Sequence, residues 1–139
     1  KNSSLPKKFF IDKQFDSNTF ARKIINNDEV KNVLINLGFK SVCLSDLSFK
    51  NQVKLFNNAK FIIGLHGGGF ANLIFSRQGT KVIEIASTKS GDVILNLAKK
   101  CKLDFKRIVQ KNNSKQLRFQ NSHIPVDIDK LKKLILSFK

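Results

Sequence analysis

Gly64-Leu65-His66-Gly67-Gly68-Gly69 follows the apolar run Phe61-Ile62-Ile63 and leads into Phe70-Ala71-Asn72-Leu73-Ile74-Phe75. Without Cβ atoms a glycine loop turns tightly and brings backbone N–H groups close to an oxyanion. A helix that follows adds its positive end. The chemistry that suits this arrangement is the seating of a phosphate or diphosphate; a bare strand-to-helix turn would need one glycine, not three. His66 stands between the strand and the glycines, placed to donate to a phosphate or to a departing diphosphate, with a core histidine as the alternative. Glu84, one of two glutamates, interrupts the apolar run Val82-Ile83-Glu84-Ile85. A carboxylate in a buried strand needs hydrogen-bond partners. Ribose hydroxyls would supply them; so would backbone amides or a Lys. Asn72 either ties the loop to an adjacent strand or touches the ligand. Arg22 has the fork geometry to complete an anion site.

The spacing excludes the best-known nucleotide loops. Asn72 stands where a dinucleotide fingerprint requires its third glycine, the connection to the next strand is short, and no G-x-x-x-x-G-K-[ST] run is present. A nucleoside diphosphate site of another kind remains. His66 and His123 are the only histidines, so a histidine-based metal cage is not expected. Cys43 and Cys101 lack metal or redox spacing and read as a reduced, buried pair.

These residues need a scaffold. Lys7 to Lys13 reads as a strand. Asn26-x-x-Glu29 opens a helix through Val30, Val33, Leu34 and Leu37 that Gly38 stops. Ser41 to Leu44 is a short strand, followed by an amphipathic helix with Phe49, Val53 and Phe56 on one stripe. Phe61 to Ile63 is a buried strand ending at the glycines, with a short helix over Phe70 to Phe75. Lys81 to Ala86 is a further buried strand. Then come a helix through Ile94, Leu97, Ala98 and Cys101 and a strand from Phe105 to Val109. A polar loop over Gln110 to Ser122 precedes a closing helix from Ile128 to Phe138. Strands apolar on both faces that alternate with helices predict an α/β fold: a doubly wound, mostly parallel sheet with helices on both faces. Ligands of such sheets sit beyond the carboxyl ends of the strands, where the glycines fall.

A chain of 139 residues with 41% apolar content is long enough for one core and too apolar for disorder. Residues 1–139 are therefore expected to form a single domain. No apolar run approaches the roughly 18 residues of a membrane span, which predicts a soluble segment. The net charge of +16 and pI near 10.2 raise the question of nucleic acid. Of the 26 basic residues, however, only Arg22, Arg77, Arg107 and Arg118 are Arg, and base reading and phosphate clamping favour Arg. A solvated, Lys-rich surface is the plainer reading, and a nucleic-acid partner is not expected.

The run from Asn57 to Phe75, with Gly79-Thr80-Lys81-Val82-Ile83-Glu84-Ile85 after it, resembles the family 61 glycosyltransferases. So do Arg22 to Val30 and Leu47-Ser48-Phe49 through Gln52-Val53. The resemblance covers about residues 7 to 86, and its H-G-x-G-x-x-N core is fairly specific. Departures are Gly68 where the family usually has Ala, Lys13 where it often has Arg, and Asn27 where it favours Glu. The resemblance implies the Rossmann-like, nucleotide-sugar-binding half of a two-domain GT-B architecture, the C-terminal part of a longer chain. It implies inverting, metal-independent transfer without a cofactor, from a nucleotide-diphosphate sugar to a glycan or polysaccharide acceptor. Arg22, Asn26, His66, Gly67, Gly69, Asn72 and Glu84 are the positions carried over, and Gly68 joins them as a backbone donor. The general base and the acceptor groove are expected from an upstream domain or another chain. The implied setting is cell-surface polysaccharide synthesis, cytoplasmic or peripheral to the inner membrane face. Two other readings compete: a different nucleotide-diphosphate α/β enzyme, such as an epimerase or dehydrogenase remnant, and a non-catalytic module for nucleic acid or another anionic polymer.

Overall fold

The computed structural model of the chain describes residues 5–12, 26–87, 91–110 and 126–138. Arg22, His123, Lys13 and nearly all of the polar loop expected over Gln110 to Ser122 lie outside them. The strands are β1 (Lys8–Ile11), β2 (Lys40–Val42), β3 (Phe61–Leu65), β4 (Lys81–Ser87) and β5 (Asp104–Gln110). They form one sheet in the order β2-β1-β3-β4-β5, and every pairing is parallel. The helices are α1 (Asn27–Asn36), α2 (Phe49–Asn58), α3 (Val93–Lys100) and α4 (Ile128–Leu136), with 3₁₀ segments at Leu44–Asp46 and Gly68–Phe75.

Alternation along the strands divides the core in two, as the double winding requires. On one face Phe10, Ile63, Leu65, Ile83, Ile85 and Ile108 pack against Val30 and Leu34 of α1 and Leu131 and Ile135 of α4. On the other, Phe9, Ile11, Ile62 and Val82 meet Leu55 and Phe56 of α2, Phe70 and Leu73 of the second 3₁₀ helix, and Ile94 of α3. Lysines lie over the edges of this core: Lys8 Nζ is 4.9 Å from the Phe39 ring centroid and Lys106 Nζ 4.6 Å from that of Phe138. Part of the large positive charge thus covers aromatic surface while its ammonium groups reach water.

Local signals account for several helix ends. Gly38, at φ +95°, closes α1 with paired bonds from its own N–H to Ile35 O (3.0 Å) and from Phe39 N–H to Leu34 O (2.9 Å). Ser48 caps α2 by accepting from Asn51 N, and Asp127 caps α4 by accepting from Lys130 N.

Four expectations need correction. The second strand is Lys40–Val42 rather than Ser41–Leu44, because Leu44 already turns into a 3₁₀ segment. The helix after the glycines is 3₁₀ and begins at Gly68. In α2 the sheet takes up Leu55 and Phe56, while Phe49 is 67% exposed and meets Phe75 edge-on at 5.9 Å. Cys43 and Cys101 are free thiols but half-buried, not core residues.

Candidate functional site

β1 sends the chain to β2 on one side, and β3 sends it to β4 and β5 on the other. The winding therefore reverses between β1 and β3, and in an open α/β sheet the crevice beyond that reversal is the ligand site. Its two lips here are Asp12, just after β1, and the loop His66-Gly67, just after β3. His66 N–H donates to Ile85 O at 2.8 Å, which extends the β3–β4 ladder by one residue and fixes where the loop departs. Gly67 is extended, at φ 162° and ψ −177°, a conformation open to any residue, so a need for glycine there concerns space and not backbone angle. Gly69 is enclosed: a Cβ on it would lie 3.1 Å from Leu44 Cδ1 and 3.7 Å from Ile11 Cγ2. The 3₁₀ helix starts on Gly68, and the first N–H groups of a helix have no partners inside it.

One transverse row of the sheet carries the charged part of the site. Ile11, Gly64, Glu84 and Arg107 are consecutive register partners across β1, β3, β4 and β5. Glu84 is fully buried, on the same face as Val82. Gly64 beside it makes room for Phe70 Cζ and Ile11 Cδ1, each 3.1 Å from where a Cβ would stand. The Glu84 carboxylate is shared: Oε2 meets Nδ1 of His66, and Oε1 accepts from Arg107 Nε at 2.7 Å. Arg107 continues outward, with Nη1 donating to Asp92 Oδ1 and Nη2 to Gly91 O, both at 3.0 Å. Burial works against the charge on Arg107, but the hydrogen bonds and charges of Glu84 and Asp92 outweigh it and raise its proton affinity above the ordinary guanidinium value. Arg107 is a permanent cation.

His66 remains 23% exposed. With Nδ1 engaged by Glu84, Nε2 is its other polar atom. Such an imidazole accepts at Nε2 when singly protonated and donates there when doubly protonated.

The other sequence-derived positions divide. Asn72 Nδ2 donates to Gln52 Oε1 at 2.8 Å, so its side chain ties the 3₁₀ helix to α2 rather than to a strand. Asn26 clamps the chain entering α4, donating to Val126 O and accepting from Val126 N, each at 2.9 Å, with a further 3.3 Å bond to Glu29. For Glu84 the sequence left ribose hydroxyls, backbone amides or a Lys open as partners; in the structure its oxygens meet His66 and Arg107. Two features escaped the reading of the sequence. Arg107 looked like an ordinary strand residue, and the signal that finds it is a lone Arg opposite a lone buried Glu on the neighbouring parallel strand. Asp12 is buried at the other lip, bonded to Ser41 Oγ at 2.9 Å and to Lys31 Nζ at 3.0 Å. A buried Asp closing an apolar strand was the available clue. Surface depressions also lie elsewhere: one of about 390 Å³ between β5 and α4 has Arg107, Lys130 and Lys133 in its walls. Another, of about 310 Å³, is lined by Lys60, Arg77 and Lys81 at the amino ends of β3 and β4. Among the described residues no helix is long and apolar enough to cross a membrane.

Fold and site together define a parallel, Rossmann-like α/β sheet with a glycine loop at its switch point. The family profile described as Glycosyltransferase 61 matches residues 1–83, and the chain belongs to that family. It is similar to the EGF domain-specific O-linked N-acetylglucosamine transferase of Mus musculus, 31% identical over 86 residues, which cover 58% of this chain and 16% of the mouse protein. The Gallus gallus protein of the same name is 30% identical over 86 residues, again 58% of this chain and 16% of the relative. The match thus spans less than a fifth of these relatives.

Proposed function

We propose that the chain binds the diphosphate of a nucleotide-sugar donor at the carboxyl ends of β1 and β3 and serves as the donor half of an inverting glycosyltransferase. The observation that carries this reading is the His66–Glu84 contact beside the glycine loop. Family membership supports it. The names of the relatives, which specify sugar transfer, point the same way.

In such a reaction the acceptor hydroxyl attacks the anomeric carbon opposite the diphosphate. The bond from that carbon to the phosphate oxygen breaks, and its electron pair leaves with the diphosphate. The hydroxyl proton goes to a general base on the far side of the sugar, which we assign to an upstream domain or another chain. The domain described here would supply the leaving-group side. Backbone N–H groups of Gly68 and Gly69 and the Nε2–H of a doubly protonated His66 donate to phosphate oxygens as negative charge accumulates. Glu84 balances the imidazolium from behind. Arg22, for which the family resemblance is the support, would add a second cation, so that no metal or cofactor is needed. Asn26 and Asn72 serve this site by holding α1 and the 3₁₀ helix in place. The setting we infer, on the resemblance alone, is polysaccharide or glycan synthesis at the inner membrane face.

Calorimetry with UDP, GDP, CDP, NAD and ATP tests the reading. Binding of at least one nucleoside diphosphate in preference to NAD and ATP is expected; equal or tighter binding of NAD would overturn it. Steeply salt-dependent binding of nucleic acid without any nucleotide binding would favour an anionic-polymer module instead.

A further inference from the structure

We infer that the edge of the sheet formed by the amino ends of its strands, opposite the crevice, docks the domain on an anionic lipid bilayer. Every strand brings a lysine to this edge. Lys8, Lys40 and Lys81 are the first residues of β1, β2 and β4, Lys60 immediately precedes β3, and Lys102 stands just before β5. The backbone ladder sets some of them side by side: Lys60 N–H donates to Lys7 O at 2.6 Å, and Lys81 N–H donates to Lys60 O at 3.0 Å. Arg77 joins them from the turn before β4. Like charges on neighbouring strands, roughly 4.8 Å apart, repel one another. The connections that enter β2, β3, β4 and β5 at this edge are all described. Among the described residues no carboxylate forms an ion pair with Lys40, Lys60, Lys81 or Lys102. Acids gather at the other edge instead, where Asp12 and Asp46 follow strands and Asp28, Asp92 and Asp127 stand at helix starts. Asp104, which opens β5, is the one described carboxylate at the amino edge.

The make-up of the edge selects the partner. A lysine ammonium is a compact point charge on a flexible stem, suited to a shifting layer of headgroups, whereas fixed recognition of one phosphate favours the arginine fork. Five strand starts at that spacing span about 19 Å, a breadth that meets several headgroups at once. Lys8 and Lys81 lay their stems over aromatic rings, with Nζ 4.9 Å from the Phe39 centroid and 5.9 Å from that of Phe61. Lys8 Nζ also donates to Leu37 O at 3.2 Å. Covered stems with charged tips at the rim are how basic side chains sit at a membrane interface. The depression of about 310 Å³ with Lys60, Arg77 and Lys81 in its walls opens on the same edge and has room for a phosphate headgroup. Docking this way turns the crevice beyond β1 and β3 away from the bilayer and leaves it open to a dissolved nucleotide. The docking face is independent of the donor site; its use at a membrane rests on the setting proposed above.

Vesicle sedimentation of the whole chain tests the proposal, with phosphatidylglycerol mixed into phosphatidylcholine against phosphatidylcholine alone. The wild type is expected to bind the anionic vesicles and not the neutral ones, and to bind less as salt rises. A lysine near an anionic surface strengthens binding about fivefold, so Lys60→Gln/Lys81→Gln should weaken it about 25-fold. Lys50→Gln/Lys130→Gln removes the same charge from exposed positions in the first turns of α2 and α4, at the opposite edge, and should leave binding nearly unchanged. Circular dichroism verifies the fold of each variant. Should the Lys60/Lys81 variant not fold, Lys60→Gln alone carries the test, with a loss of about fivefold expected. Equal losses in the two pairs overturn the proposal, because they show attraction to the net charge of the chain and not to this edge. So does equal binding to both kinds of vesicle, or binding to neither. A titration with duplex DNA covers the other polyanion: if the Lys60/Lys81 variant loses DNA but keeps wild-type vesicle binding, the edge serves nucleic acid and the proposal falls. UDP calorimetry on the same proteins keeps the two readings apart. If the wild type docks on anionic vesicles through this edge yet binds no UDP, the docking face stands and the donor reading falls.

Discussion

Asn72 on the 3₁₀ helix donates to Gln52 on α2 at 2.8 Å, and Gln52 passes the connection on, donating to the carbonyls of Leu44 (2.9 Å) and Leu47 (3.3 Å). Three segments that surround the glycine loop are thereby joined through one glutamine. The turn after β2 carries Leu44, which packs beside Gly69. Loop position is therefore a property of this small network as much as of the loop itself.

Breaking the network is expected to cost stability and to do so non-additively. Asn72→Ala and Gln52→Ala should each destabilise the fold by about 1 kcal/mol. The double variant should lose less than the sum of the two. Urea unfolding of the four proteins makes the comparison; strict additivity would show that the two side chains act independently.

Gly64→Ala tests the close approach in the middle of β3. Its new methyl would meet Ile11 Cδ1 and Phe70 Cζ at 3.1 Å and Ile11 Cβ at 3.2 Å, all in a packed core. A loss of about 1–3 kcal/mol is expected from the overpacking. Thermal and urea unfolding read it directly, and a wild-type midpoint would mean the core yields more easily than its packing implies.

Gly67→Val separates backbone conformation from ligand space. The extended backbone at Gly67 accommodates valine, so the circular dichroism spectrum should match the wild type. Nucleotide binding should be lost, since the branched side chain stands where a phosphate would approach. Undiminished affinity in the folded variant would move the ligand away from this residue.

Glu84→Gln should weaken UDP and pyrophosphate alike. The carboxylate is engaged by His66 and Arg107, so on the proposed reading its removal acts through the imidazole, which would meet the phosphates in both ligands. The expected loss is on the order of 1.5–3 kcal/mol for each. A loss confined to UDP would favour the ribose role, one of the alternatives the sequence left open, and calorimetry with both ligands decides between them.

Much of the scaffold was legible because it depends on short-range pattern. Phe61-Ile62-Ile63 and Val82-Ile83 are apolar without alternation, which a strand tolerates only when covered on both faces. Gly38 follows a helical stripe and closes it, and three glycines mark where the chain leaves the buried strand. The misplaced details are those that neighbours decide. Phe49 has helical spacing with Phe56, yet the sheet lies under the far end of α2 and leaves Phe49 outside.

What the sequence by itself determined, then, is the alternation of strands and helices, the glycine loop, and His66 and Glu84 as its unusual polar companions. Only the tertiary structure decided what those companions touch. Glu84 and Arg107 are 23 residues apart and meet because β4 and β5 align in parallel at one register. His66 reaches Glu84 because β3 pairs with β4 one strand over. Periodicity reports which face a residue occupies, while strand order and register determine its neighbour across the sheet, and these are set by how the whole chain winds.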